Sequence, residues 1–247
     1  MSLIHEFERT GNFLFRYRGQ IPVIFFLLAA PVVCFTNYPW LNASNEIILI
    51  LLALGLSLSG IVIRAYTIGT TPAGTSGRNT EAQVAEQLNS TGIYSVVRHP
   101  LYLGNYLMWA GLLVYTGHFW FVGIISLVYW IYYERIMFAE ERFLEKKFGQ
   151  AYVDWSLTAP AFFPRLRQFI KSSIPFSFRS VLRREYSGWA AAAFGFFFID
   201  SLRMFCHGQT ISWDRWSVLF FALFLIGALV LRTIKHRTRI LHEEGRS

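Results

Sequence analysis

"GIYSVVRHPLYLGNYL", residues 92–107, sets a charge, an imidazole and a proline directly before an apolar run. Proline suits the first turn of a helix, where its missing N–H is no loss. The stretch therefore reads as a helix beginning at Pro100, with Arg98 and His99 beside its free N–H groups. Such a terminus attracts carboxylates and phosphates. Gly104, one turn further in, lets another group approach closely, and Tyr94 and Tyr102 offer aromatic faces. Arg and Tyr are also common where a helix meets the membrane surface, so the tripeptide R-H-P decides little until its surroundings are read.

Those surroundings are apolar. Of the 247 residues 54% are hydrophobic and 15% charged, against about a quarter charged in an ordinary soluble domain. Six runs are nearly free of charge: 21–35, 47–63, 101–115, 119–138, 189–205 and 216–231. A membrane helix needs roughly 20 such residues, with about 17 as the lower range. The expected fold is an all-α, multi-pass membrane bundle of about six helices, or five if the short run 101–115 dips into protein instead of crossing. No small-x-small cleavage site follows the first run, which therefore reads as an uncleaved anchor.

Charge gives the orientation. Lys and Arg gather before the first run, between the second and third, between the fourth and fifth, and in the tail; the opposite loops near 37–45, 117–118 and 207–214 hold few. The positive-inside rule puts both termini in the cytoplasm. The formal charge of +8 is a topology signal first. It lies along membrane edges and forms no separate domain, which argues against nucleic acid as a partner, and no protein partner is indicated. The expected partner is a lipid substrate in the membrane. Cys34 and Cys206 lack ligand spacing and read as buried apolar residues, with no metal site and no disulfide framework. Asn42 heads a glycosylation tripeptide, a pattern common by chance.

The helices are nearly clean of ionisable residues, unlike those of transporters and channels. Polar chemistry sits in two loops on the cytoplasmic side, 64–100 and 134–186. In the first, Gly74, Gly77 and Gly92 permit unusual backbone shapes. Residues 80–88 read as a short helix capped by Thr80. In the second, "YYERIMFAEERFLEKKFGQAYVDW" continues the apolar run as a charged amphipathic helix. Leu144, Phe148, Tyr152 and Trp155 share one face, to lie on the membrane or on the protein. Glu140 and Glu141 point about 100° apart and can serve two different partners. Alone, the acidic pair would suit a solvated helix face equally well.

Together the two clusters carry a resemblance. The pattern G-x-Y-x-x-x-R-H-P-x-Y-x-G, then E-E-x-x-L, then F-G-x-x-Y, is similar to that of the isoprenylcysteine carboxyl methyltransferase and phospholipid methyltransferase superfamily, over roughly residues 64–164. The resemblance implies a helical bundle that transfers a methyl group from S-adenosyl-L-methionine, held on the cytoplasmic side without a Rossmann domain. It implies a cofactor pocket lined by Tyr94, His99, Pro100, Leu101, Tyr102 and Gly104 and closed by Glu140, with Arg98, His99 and Glu141 at the catalytic centre and no metal. It divides the chain into a methyltransferase core (1–164), a basic cytoplasmic connector (165–188) and a C-terminal helical hairpin with a basic tail (189–247).

The chemistry agrees with that assignment. A carboxylate can bind the ribose diol or the ammonium of the cofactor, the helix start suits its carboxylate, and tyrosines suit adenine. The stretch "TPAGTSGRNT" and the chain beyond Pro164 look closest to the branch that methylates the 1-phosphate of lipid A. Arg favours phosphate through paired donors, which makes Arg78 and Arg135 candidate acceptor-binding residues. Arg135, about a turn before Glu140, is expected at the same cavity or its rim. A prenylcysteine carboxylate, a phosphatidylethanolamine amine and, from another class, a non-catalytic lipid-binding or transport protein stay open.

Overall fold

The computed structural model describes residues 2–37, 43–72, 74–75, 83–208 and 215–246. All six apolar runs are helical, and no β-strand occurs among the described residues beyond one isolated bridge, Gly92 with Ile170. The helices are α1 (Leu3–Arg16), α2 (Ile21–Leu27), α3 (Ala29–Phe35), α4 (Ala43–Gly69), α5 (Pro100–Tyr115), α6 (Phe119–Phe148), α7 (Gln150–Thr158), α8 (Phe178–Cys206) and α9 (Trp216–Arg237). Four of them, α4, α6, α8 and α9, are long and apolar enough to cross a membrane. Leu3–Arg16 and Ile21–Phe35, bent by 74°, make a fifth span if they count as one. At 16 residues α5 is the run expected to stop short: at 1.5 Å per residue it covers about 24 Å, less than the hydrocarbon thickness of about 30 Å.

Close helix approach positions everything else. α5 lies against α4 along a line of small residues. A Cβ on Gly60 would come within 2.4 Å of the Gly104 carbonyl oxygen, and one on Gly111 within 2.2 Å of Ser57 Oγ. Small residues let helix backbones meet in lipid, where packing rather than the hydrophobic effect drives association. α8 packs on α3, α4 and α5, and α9 packs on α8. α1 docks on the second half of α6 through Phe7 on Phe138, and through Lys146 donating to Glu8.

Three local expectations change. Residues 83–88 are irregular, not helical, while Thr80, Gly77, Asn42 and Arg78 lie outside the described residues. The amphipathic helix after Glu134 is two helices, because Gly149 turns the chain at φ +56°. Such a backbone suits glycine and closes α6. The stretch read as a connector, 165–188, already contains the start of α8, capped by Ser177 Oγ accepting from Ser180 N–H at 3.1 Å.

The cysteines need a correction. Cys34 and Cys206 are bonded to each other, with Cα atoms 5.1 Å apart across 172 residues of sequence. Both are half-buried, at the last turns of α3 and α8. Only the packing of those two helices brings them together, and no spacing rule in the sequence reports it. The bond sits at the bundle end formed by the Lys- and Arg-poor loops.

Candidate active site

At the other end, where the basic loops gather, the first motif is fastened by the chain that follows the second. Arg98 N–H donates to Pro160 C=O at 2.8 Å, His99 N–H to Ala161 C=O at 3.2 Å, and Gly92 N–H to Ile170 C=O at 2.8 Å. Trp155 Nε1 donates to the Tyr94 carbonyl at 3.1 Å. The apolar face of Leu144, Phe148, Tyr152 and Trp155 lies on the protein, packed with Leu88, Tyr94 and Ala159. The R-H-P corner is thus held from outside as well as by α5.

The two motifs meet in one cluster. Arg98 Nε and Nη2 donate to the two Glu141 oxygens at 2.8 and 3.3 Å, and its Nη1 to the carbonyls of Ser156 and Ala159, both at 2.7 Å. His99 is buried between the carboxylates, with Nε2 2.9 Å from Glu141 Oε1 and Nδ1 3.5 Å from Glu140 Oε2. Tyr102 donates its hydroxyl to Glu140 Oε1 at 2.6 Å. Burial alone would lower the His99 pKa; hydrogen bonds and charge from Glu140 and Glu141 outweigh it, and the imidazole titrates above its usual value. Burial and the nearby Glu140 push the Tyr94 phenol up to about 12, so it stays protonated at neutral pH.

The cluster forms one wall of a cavity of about 580 Å³, within the range of small-molecule sites. Tyr94, Arg98, His99, Pro100, Leu101, Tyr102, Glu140 and Glu141 all line it. So do Phe15 of α1 and Arg18 just after it, the segment 83–85, and Tyr152 and Trp155 of α7. The expected residues thus come together, with three exceptions. Gly104 lies behind the wall, where its missing side chain makes room for Arg64: a Cβ there would sit 2.6 Å from Arg64 Cγ. Arg135 faces away, its guanidinium 3.3 Å from the Phe7 ring centroid on the α1 side of α6. Arg78 lies outside the described residues.

Sequence reasoning missed Arg64, Asn105, Arg184 and Glu185, which also line the cavity. Arg64 looked like a topology charge at the end of an apolar run. Glu185 had one signal, being an acid directly after the basic run 179–184. Arg98 also differs from expectation: every nitrogen of its guanidinium is engaged within the protein, so it positions Glu141 and closes the end of α7.

Fold and site together define a polytopic α-helical membrane protein with a cavity lined by charged and aromatic side chains at one end of the bundle. The phospholipid methyltransferase family model matches residues 46–151, the segment that carries both motifs. The cobalt-zinc-cadmium resistance protein CzcN of Cupriavidus metallidurans is 32% identical over 160 residues, 63% of this chain and 67% of that protein. The nickel-cobalt-cadmium resistance protein NccN of Alcaligenes xylosoxydans xylosoxydans is 34% identical over 87 residues, 35% of this chain. The protein-S-isoprenylcysteine O-methyltransferase of Schizosaccharomyces pombe is 32% identical over 77 residues, 31% of this chain. The matches span 40% of NccN and 33% of the yeast enzyme, under half of each. No solved structure matches. The chain belongs to the isoprenylcysteine carboxyl methyltransferase and phospholipid methyltransferase superfamily.

Proposed function

We propose that this protein methylates the head group of a membrane lipid with S-adenosylmethionine, the acceptor being an anionic phosphate oxygen such as the lipid A 1-phosphate. One observation carries the reading: two carboxylates from α6 meet the R-H-P-x-Y residues in a single polar cavity at the bundle end. The residues present fit the cofactor. Glu140 is held by the Tyr102 hydroxyl and, at 3.5 Å, by His99, and is 23% exposed, which leaves it able to accept from an ammonium or a ribose diol. Tyr94, Tyr152 and Trp155 offer flat faces for adenine. When bound, S-adenosylmethionine supplies an electrophilic methyl group.

The chain's own residues position rather than react. Arg98 and His99 hold Glu141, Tyr102 holds Glu140, and the packed corner keeps their geometry fixed. An anionic oxygen needs no general base, so catalysis rests on alignment of the acceptor with the methyl. Arg18, Arg64 and Arg184 line the cavity and give the phosphate reading its cations. The yeast relative's name favours a carboxylate as the second reading.

The proposed orientation puts both termini and the cavity in the cytoplasm. Charge distribution supports it, and a disulfide at the opposite end suits an oxidising compartment. Purified full-length protein with labelled cofactor and a lipid panel tests the acceptor: lipid A with a 1-phosphate, a prenylcysteine and phosphatidylethanolamine. Label on the phosphate is expected. Label on the prenylcysteine alone moves the chain to carboxyl methylation, and label on none overturns the reading.

A further inference from the structure

His99, the residue that caps α5, and Tyr102 and Asn105 within the helix line the cavity at three-residue spacing, on one face. The first two turn to Glu141 and Glu140. The third turns elsewhere: Asn105 Oδ1 accepts from Arg64 Nη1 at 2.5 Å. Arg64 in turn donates through Nε and Nη2 to the two oxygens of Glu185, at 2.7 and 2.6 Å. The Glu185 side chain is 2% exposed and that of Arg64 19%. A buried ion pair is weak as a device for stability, because desolvation cancels much of the attraction. Inside membrane helices such a pair marks function by default. Here it stands in the wall of the cavity that also holds Glu140.

We propose that Arg64 is the anion anchor for the acceptor head group and that Glu185 is its positioning residue, so that the site is complete only with α8. The proposal rests on the methyltransferase reading of the cavity. A guanidinium carries five N–H donors. Glu185 takes two and Asn105 one, which leaves one N–H on each terminal nitrogen of the guanidinium fork. Glu185 and Asn105 fix the plane of the guanidinium within the cavity wall. Asn105 lies three residues beyond Tyr102, about 4.5 Å deeper along α5, so the anchor sits one turn past the acidic cluster. That spacing separates an anion site from a carboxylate site without splitting the cavity. The motif glycine is part of the device, since a side chain at Gly104 would overlap the Arg64 stem.

The ligand class is an anionic oxygen group, a phosphate or a carboxylate. Methyl transfer to either forms an O–CH3 bond, breaks the methyl–sulfur bond and removes one negative charge from the head group. The product therefore binds the fork less well than the substrate, which favours its release.

The test uses full-length protein in nanodiscs without cofactor. Binding of phosphatidic acid and of a prenylcysteine is measured separately, with cofactor affinity by calorimetry in parallel. Arg64→Lys keeps the charge but loses the fork, and Glu185→Gln keeps the volume but loosens it. Both should weaken binding of one of the two probes roughly ten- to a hundred-fold while cofactor affinity stays within about twofold. The preferred probe tells phosphate from carboxylate. If Glu185→Gln fails to fold, the double variant Arg64→Gln with Glu185→Gln removes both charges and should fold, bind cofactor and lose the anion. Unchanged affinity for both lipids in Arg64→Lys, or a wild type that binds neither, overturns the proposal. A wild type that fails to bind cofactor overturns the methyltransferase reading instead.

Discussion

Glu140 and Glu141 are neighbours with different work, and alanine at each should separate them. Glu141 receives two donors from Arg98 and faces His99 at 2.9 Å. Removing one partner of a buried charge cluster costs about 3–5 kcal/mol. Glu141 is 26% exposed, which discounts the loss to roughly 2–3 kcal/mol. For a chain of this size each kcal/mol is worth about 2–4 °C, so Glu141→Ala should melt roughly 4–12 °C lower. Glu140 is held by Tyr102 at 2.6 Å and stands 3.5 Å from His99. Its loss costs about 1 kcal/mol and should move the melt by a few degrees. Glu140→Ala should instead lose cofactor affinity roughly ten- to a hundred-fold, the value of one charge-assisted contact. Thermal melting in detergent, with calorimetry against S-adenosylmethionine, reads both. A wild-type melt for Glu141→Ala, or wild-type affinity for Glu140→Ala, would refute the assignment.

Three more outcomes follow from the same geometry. Gly104→Ala places a Cβ 2.6 Å from Arg64 Cγ and 2.9 Å from the Gly60 carbonyl oxygen. The overpacking should cost about 1–3 kcal/mol in the melt and reduce acceptor binding, and an unchanged melt would deny the close α4–α5 crossing. His99 titrates above its usual 6.5 in the folded protein. Its contribution to stability is therefore complete below about pH 6.5 and is lost as pH rises through the raised value. Melting across pH should show that loss on the alkaline side, and His99→Gln should flatten it. Cys34→Ser should destabilise by about 2–4 kcal/mol, and non-reducing peptide mapping should recover residues 34 and 206 linked; two separate thiols would contradict the bond.

What the sequence made legible was local. Runs of apolar residues marked the helices from Ile21 onward that build the bundle, because hydrophobic length is read directly along the chain; α1, Leu3–Arg16, lies in no such run and was not anticipated. Residues 92–102 and 140–141 were recognisable as one site only because their spaced combination resembles a known superfamily; neither stretch alone distinguished a site from a membrane edge. Whatever depended on the relative rotation or crossing of helices was hidden. Arg135 lies five residues before Glu140, and at 100° per residue that is 140° around the helix, so it meets Phe7 and not the cavity. The Arg64–Glu185 pair spans 121 residues, and the Cys34–Cys206 bond spans 172. Neither leaves a mark in spacing. Gly149 breaks a helix that periodicity alone continues, because its positive φ belongs to the backbone and not to the hydrophobic pattern.

The central claim is that S-adenosylmethionine occupies the cavity between the two motifs. Photo-cross-linking of radiolabelled S-adenosylmethionine to the purified full-length protein, followed by peptide mapping, tests it most directly. The account predicts saturable label on peptides carrying residues 94–102 and 140–155, competed by the demethylated product and lost in Glu140→Ala. Absence of saturable label, or label confined to α9 or the tail, would contradict it.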